Sequence, residues 1–179
     1  MATTTINVTA INGLFAQTAS STAITNTTTE TTLIGSGVGS IEVPADGFSV
    51  GDSYHAKLIG HISCNSSATV RIRIKTGSVV LADTGVISLA TSSNKHWEIN
   101  VYFTIRSIGG AGVASIASGG IFSYVKNAGT AFEGSNFLLI NNTDFDTTVS
   151  NTLNVTAEWG TASASNSIYS DIFILNKTY

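Results

Sequence analysis

The chain has 179 residues and a net charge of −3, and it is 42% hydrophobic but only 11% charged, against about 25% charged in an average globular protein. This balance excludes an intrinsically disordered chain and gives no support for a nucleic-acid partner, which usually requires a concentrated basic surface. The single cysteine, Cys64, excludes an intrachain disulfide, and the length indicates one domain with a sizeable core.

The first residues carry no targeting or membrane signal. MATTTINVTA lacks a basic region followed by an apolar stretch, so we predict no signal peptide. No run of about 18 apolar residues occurs anywhere, so we predict no transmembrane helix and no membrane partner. We expect synthesis in a host cytoplasm.

Residues 1–27 are polar and of low complexity, apart from the apolar island Ile11–Ala16. Two interpretations stay open for this segment. It is either a flexible terminus or an extended N-terminal arm whose Leu14 and Phe15 contact a neighbouring subunit. On either interpretation we place a single domain at residues 28–179.

Apolar and polar residues alternate along most of the first half of that domain, which is typical of half-buried strands. Turn signals at Pro44, Gly77-Ser78 and Asp83-Thr84-Gly85 separate the strands. The predicted strands are Thr31–Ile34, Val38–Val43, Tyr54–Ser63, Thr69–Thr76, Val79–Leu81 and Val86–Leu89.

The second half repeats this pattern, with polar loops predicted at Ala90–Lys95, Lys126–Gly134 and Asn141–Thr148. The clearest alternation places Leu153, Val155, Ala157 and Trp159 on one side of an extended chain, so Trp159 is expected to be a large buried anchor. The other predicted strands are Trp97–Arg106, Val113–Tyr124, Phe137–Ile140 and Ile168–Leu175.

These patterns predict an all-β fold without helices. Period-two alternation gives each sheet one buried face, and two such sheets packed together form an antiparallel β-sandwich. We expect a jelly roll of about eight to ten strands. No repeat of about 20–50 residues occurs, which argues against a propeller or a β-helix.

Three stretches carry a resemblance to a known family: TVSNTLNVTAEWGTASASN, LADTGVISL and NTTTETTLIGSGVGS. Together they resemble small all-β virion structural proteins of tailed bacteriophages and related environmental viruses, over roughly residues 17–175. The resemblance implies a jelly-roll-like fold and a place on a virus particle. Members of this family serve as head decoration, fibre or tail-associated proteins.

The stripe Arg71, Arg73 and Lys75 is the most prominent polar group, because alternation places all three side chains on one face of a strand. A functional interpretation makes the stripe a contact to phosphate or to a capsid surface. The alternative is a ladder of cross-strand ion pairs with outward carboxylates such as Glu98 or Glu158. We favour the ladder.

Two groups could hold a metal, although we predict none. His55 and His61 share a strand face but lie about 20 Å apart, so they could bind an ion only with symmetry mates around a three-fold axis. The loop with Asn141, Asn142, Asp144 and Asp146 offers oxygen ligands for Ca²⁺. It lacks the glycine and downstream glutamate of an EF-hand, and Asx turns are the simpler explanation.

No pattern indicates an enzyme or a cofactor. GSGVGS (Gly35–Ser40) superficially resembles a phosphate-binding loop, but a strand follows it where a helix is required. Cys64 has no activating partner in sequence, and neither a nucleophile elbow nor paired carboxylates at diagnostic spacing occur. We therefore expect a non-enzymatic protein.

The leading hypothesis is a self-associating capsid decoration or cement protein on the virion surface. Its partners would be copies of itself, as a trimer, together with the major capsid protein or other virion subunits; the trimer is implied by the resemblance alone. The alternative is a fibre or tail-associated receptor-binding or carbohydrate-binding module. The candidate aromatic residues for sugar contact are Tyr102, Tyr124, Tyr169 and Trp97, of which alternation buries Trp97. A polysaccharide depolymerase would be a third possibility.

Overall fold

The computed structural model describes residues 13–127 and 132–179, and within these ranges the chain is all β. No helix of the described residues is long and apolar enough to cross a membrane. The described strands are β1 (Gly13–Gln17), β2 (Ile24–Thr25), β3 (Thr31–Thr32), β4 (Gly37–Gly39), β5 (Glu42–Val43), β6 (Ser53–Cys64), β7 (Thr69–Thr76), β8 (Val79–Ser88), β9 (Ser92–Ser107), β10 (Ser115–Val125), β11 (Phe132–Asn142), β12 (Asn151–Trp159) and β13 (Ser167–Lys177).

The strands form two sheets. The larger sheet has eight strands in the order β11-β10-β9-β6-β13-β1-β4, with β2 also paired to β13. The smaller sheet has five, in the order β3-β12-β7-β8, with β5 paired to β12. Every pairing among the described strands is antiparallel, which confirms the predicted antiparallel sandwich. The jelly-roll connectivity is not confirmed, because β9, β10 and β11 follow one another in a single sheet.

The core lies between the sheets and is filled by the alternate residues that the sequence pattern identified. In β6 the buried residues are Tyr54, Ala56, Leu58, Gly60, Ile62 and Cys64; in β9 they include Trp97, Ile99, Val101, Phe103 and Ile105. Strand β7 buries Val70, Ile72 and Ile74 and turns its cationic residues outward. The outward faces of both sheets therefore carry the polar side chains available for function.

Two tryptophans fill the centre of this core. Trp97 of β9 donates its indole N–H to the carbonyl oxygens of His61 and Tyr169, at 3.0 and 3.1 Å. Trp159, at the end of β12, donates to the carbonyl oxygen of Ile24 at 2.9 Å. Each indole thus buries a large apolar surface and satisfies its single polar atom.

The structure places residues 13–27 inside the sandwich, which differs from the predicted boundary at residue 27. Strand β1 lies between β13 and β4, and β2 also pairs with β13. Phe15 turns inward and packs against Phe173, with ring centroids 5.4 Å apart, whereas Leu14 is half-buried. Backbone pairing along β13 and burial of Phe15 explain why this segment joins its own domain. Residues 1–12 lie outside the described residues, so an arm there stays a prediction.

Three predicted loops are shorter in the structure. Strand β8 continues through Asp83-Thr84-Gly85, where its pairing with β7 shifts register instead of ending. Likewise β9 begins at Ser92 and β11 at Phe132, within segments predicted as loops. The turn-forming residues of β8 accommodate a β-bulge, which keeps both ends of the strand in one ladder.

Candidate functional site

The outer face of the larger sheet carries the exposed, flat aromatic ring of Tyr102. Tyr102 of β9 is 57% exposed, and its ring stacks on that of His55 in β6, with centroids 4.5 Å apart and planes 7° from parallel. The two residues are direct cross-strand partners in the β6–β9 ladder. His55 also contacts Asn100, with 3.3 Å between Nε2 and Oδ1.

On its other side, Tyr102 has no direct side-chain partner in β10. Its partner across the β9–β10 ladder is Gly119, which has no side chain. One face of the phenol ring is therefore covered by His55, whereas the direct partner of Tyr102 in β10 has no side chain to cover it. Because the stack fixes the ring before any ligand arrives, little side-chain entropy is lost on binding.

The neighbouring row of residues on the same face carries mostly polar side chains. The row runs across four strands and consists of Lys57, Asn100, Ile121 and Asn136. Ile121 is 52% exposed, so the row offers an apolar contact between hydrogen-bonding groups. On the opposite side of Tyr102, the hydroxyls of Ser53 and Thr104 lie 3.0 Å apart. The face thus combines an apolar platform with donors and acceptors on both sides.

The other candidate aromatic residues are not arranged in this way. Trp97 is buried, as alternation predicted. Tyr124 is only 1% exposed; its hydroxyl accepts the N–H of Ala90 and donates to Glu133, both at 2.8 Å. Burial, reinforced by Glu133, raises the pKa of Tyr124 to about 12. Tyr169 is half-buried beside His61, with ring centroids 5.6 Å apart. Only Tyr102 of the four therefore presents an open ring.

The cationic stripe lies on the outer face of the smaller sheet, in contact with three carboxylates. Nε and Nη2 of Arg71 donate to Asp83, and Arg73 Nη1 donates to Glu30 at 2.9 Å and to Glu158 at 2.7 Å. Lys75 donates to Glu30 at 3.1 Å. The three cations are thus matched by three carboxylates. This arrangement is the ion-pair ladder favoured from the sequence, with Glu158 as one of its partners.

Glu98, the other suggested partner, lies on the larger sheet and is 3.9 Å from Lys57. The stripe has no side-chain cation left over for phosphate, because each of the three already contacts a carboxylate. The contact of Arg71, Arg73 and Lys75 with a partner surface stays a prediction, and the internal pairing weakens it.

Burial disfavours the charged forms of Glu30 and Asp83, but the network outweighs burial. Hydrogen bonds from Thr156 and Lys75 and the charge of Arg73 lower the pKa of Glu30 below its ordinary 4.5. Hydrogen bonds from Arg71 and from the Gly85 N–H lower the pKa of Asp83 below 3.8. A carboxyl group whose pKa is lower in the folded state stabilises the fold when it is ionised.

We expect this stabilisation to be complete above pH 4.5 and to be lost as the pH falls through the lowered folded-state pKa values of Glu30 and Asp83. Denaturant unfolding at pH 7 and pH 3 measures it. A variant with Glu30→Gln and Asp83→Asn should be less stable than the native chain at pH 7 and closer to it at pH 3. Asp46→Asn, at an exposed carboxyl outside the network, is the control. A double variant whose deficit is the same at both pH values would contradict the expectation.

The candidate metal ligands have other partners. His61 Nδ1 lies 2.7 Å from a carboxylate oxygen of Asp171, and His55 stacks on Tyr102. Among the residues that the structure describes, no group of three or more His, Cys, Asp or Glu side chains is placed to hold a metal ion. Any ion on a three-fold axis stays a hypothesis that needs neighbouring copies of the chain.

The acidic loop forms Asx turns. The side-chain oxygen of Asn142 accepts the N–H of Asp144 at 2.9 Å, and that of Asp146 accepts the N–H of Thr148 at 2.8 Å. The side chain of Asn141 lies outside the described part. These turns agree with the simpler interpretation of the loop.

Cys64 is buried and its thiol donates to the carbonyl oxygen of Ala90 at 3.3 Å. Burial raises the pKa of the Cys64 thiol, which opposes formation of the reactive thiolate. Gly37–Gly39, within the glycine-rich stretch, forms edge strand β4. Neither feature contributes to a chemical site.

No protein-family model matches the sequence, and no curated protein matches it. Among solved structures, the chain is similar to the CBM2 module of the evolved Dit of Lactobacillus casei BL23 phage J-1, with a TM-score of 0.28 and 9% sequence identity. The match covers 77% of this chain and 68% of that chain. A TM-score this low does not show a shared fold, and the site described above stands on its own geometry.

Proposed function

We propose that this protein is a non-catalytic carbohydrate-binding module, and that its outer larger-sheet face holds a sugar ring over Tyr102. The observation that carries the proposal is the exposed phenol ring, stacked on His55 and paired across the β9–β10 ladder with Gly119. The position of the ring in the middle of a sheet makes the platform rigid, because hydrogen-bonded strands flank it on both sides.

A sugar suits this face because it has both kinds of surface. The C–H groups on one side of a pyranose ring are apolar and can cover an aromatic ring that would otherwise face water. Its hydroxyl groups need donors and acceptors at the edge of the platform, which Asn100, Asn136 and Lys57 supply. The side-chain amides provide both types of group at once.

A nucleobase could also stack on an exposed aromatic ring. Single-strand binding by stacking, however, is combined with a positively charged groove that follows the phosphates. The chain carries a net charge of −3, and Lys57 lies 3.9 Å from Glu98. Charge therefore favours a sugar over a nucleic acid on this face.

We expect Tyr102→Ala to weaken glycan binding about 5- to 150-fold, since aromatic stacking platforms are worth about 1–3 kcal/mol per ring. A glycan array with the native chain identifies the ligand, and calorimetric titration measures its affinity for each variant. Val86→Ala is the control, because Val86 is 70% exposed but lies on β8 of the smaller sheet, away from the platform. Equal affinity of Tyr102→Ala and the native chain, or no glycan bound on the array, would refute the proposal.

Assignment of this module to a virus particle rests on the sequence resemblance. The receptor-binding or tail-associated role is the form of the hypothesis that agrees with an open binding face. Capsid decoration gains no support from the described residues, because Phe15 is buried in its own chain and the cationic stripe is paired internally. The trimer and the capsid partner stay predictions, and the mass of the purified chain in solution tests the trimer.

A further inference from the structure

A cavity of ≈ 260 Å³ opens between the two sheets at one end of the sandwich. Its wall comes from both sheets and from the segments that join them. The deep part is formed by the buried residues Phe103, Ile116 and Phe145, whereas Ser40, Glu42 and Pro44 are exposed and mark the mouth. The cavity is separate from the Tyr102 platform, which lies on the outer face of the larger sheet.

The polar groups that line the cavity already have partners. Thr76 donates to Asn151 at 3.0 Å, and the Asn151 amide donates to the carbonyl oxygens of Asp146 and Val149, both at 2.8 Å. Tyr54 donates to Asp52 at 3.2 Å. A ligand in this cavity would therefore find contact area but few free donors or acceptors.

The charges near the mouth do not favour an ion either. Lys177 lies 2.7 Å from Asp52, so its charge is balanced. Glu42 accepts a hydrogen bond from Ser150 at 2.7 Å and keeps a negative charge at the mouth. A carboxylate or sulfonate ligand would be repelled by Glu42 and would lose its hydration without gaining a free cation. These charges therefore favour an uncharged ligand in the cavity.

The size of the cavity restricts the ligand further. An apolar protein cavity of about 150 Å³ holds one benzene molecule. The ≈ 260 Å³ found here is larger by more than half, which suits two fused aromatic rings. The aromatic side chains of Phe48, Phe103 and Phe145 in the wall provide ring contacts for such a molecule.

We propose that this cavity is a binding site for a small, uncharged, apolar molecule of the size of a bicyclic aromatic. The site is independent of the carbohydrate-binding face, because it uses the interior between the sheets and none of the residues around Tyr102. Its ligand is held by burial of apolar surface and not by hydrogen bonds.

The test is an NMR titration of the full chain with naphthalene and, separately, with 2-naphthoate, which adds a carboxylate to the same rings. We expect shifts of the amide signals of Leu14, Phe145 and Leu153, which line the cavity, and none at Tyr102. Naphthalene should bind at least tenfold more tightly than 2-naphthoate. Shifts confined to the outer face, or equal affinity for the two probes, would overturn the proposal. Tighter binding of octane than of naphthalene would overturn the aromatic class.

A cavity-filling variant gives a second, independent measurement. Leu153 is a partly buried wall residue of β12, so the larger side chain in Leu153→Trp should occupy the cavity and reduce naphthalene affinity at least tenfold. Val86→Trp is the control, because Val86 is an exposed strand residue of the same sheet that does not line the cavity. If Leu153→Trp does not fold, Leu153→Phe serves the same purpose with less added volume. Native affinity in a folded filling variant would overturn the proposal.

Discussion

Replacing Trp159 with alanine is expected to lower the free energy of unfolding by about 3–5 kcal/mol. Trp159 has no exposed surface, and it lies in the core where β12 pairs with β7. Truncation would remove its packing contacts and leave a cavity, and it would also leave the carbonyl oxygen of Ile24 without the indole donor at 2.9 Å. Equilibrium denaturation in urea measures the loss.

The control for this truncation is Tyr102→Ala. It also removes a large aromatic side chain from a strand, but Tyr102 is on the solvent side of the sheet. Because its ring stacks on His55, we expect Tyr102→Ala to cost about 0.5–1.5 kcal/mol, well below the loss for Trp159→Ala. A Trp159→Ala variant no less stable than Tyr102→Ala would contradict the role of Trp159 as a core anchor.

The substitution Gly60→Ala is expected to lower stability by about 1–3 kcal/mol or more, although it adds a single methyl group. A Cβ atom at Gly60 would overlap the carbonyl oxygen of Tyr169 and lie 2.7 Å from the Cα of Ser170. Both are backbone atoms of β13, at the irregularity between Ser170 and Ile172. The strand would have to move, and the Tyr169 carbonyl that accepts the Trp97 indole N–H would move with it.

Gly110→Ala provides the matched comparison for Gly60→Ala. No heavy atom lies within 4 Å of a Cβ built at Gly110, which is in the connection between β9 and β10. Because alanine also restricts the unfolded chain, this variant should be as stable as the native protein or slightly more so. Thermal unfolding of the two variants side by side shows the difference. Equal midpoints would mean that β13 adjusts to a side chain at position 60 without cost.

Alternation along the sequence was enough to predict the sandwich and the buried faces of β6, β7 and β9. The same rule also placed Tyr102 on an outward face. It could not place His55 beside Tyr102, because that contact depends on the register between β6 and β9, which are far apart in sequence. Register is set by the whole ladder and by the bulges within it.

Two features of the fold were missed for related reasons. The turn-forming residues Asp83-Thr84-Gly85 were expected to end a strand, but Asp83 accepts hydrogen bonds from Arg71 and Gly85, which hold a bulge within β8. One of the two interpretations of the first 27 residues places Phe15 against another subunit, whereas in the structure β13 and Phe173 of the same chain pair with it. Neither partner is near in sequence, so local pattern alone could not identify them.

Strand β13 pairs with β6, β1 and β2, so it supplies the centre of the larger sheet although it is synthesised after all the other described strands. The ladder that joins Ala16 to Ile174 closes a loop of nearly the whole described chain. Such pairings are entropically costly and slow to form. While the chain is still being translated, β1, β2 and one edge of β6 must wait with unpaired backbone groups and exposed apolar residues. We therefore expect chaperones to bind the nascent chain until β13 leaves the ribosome and can pair with these strands.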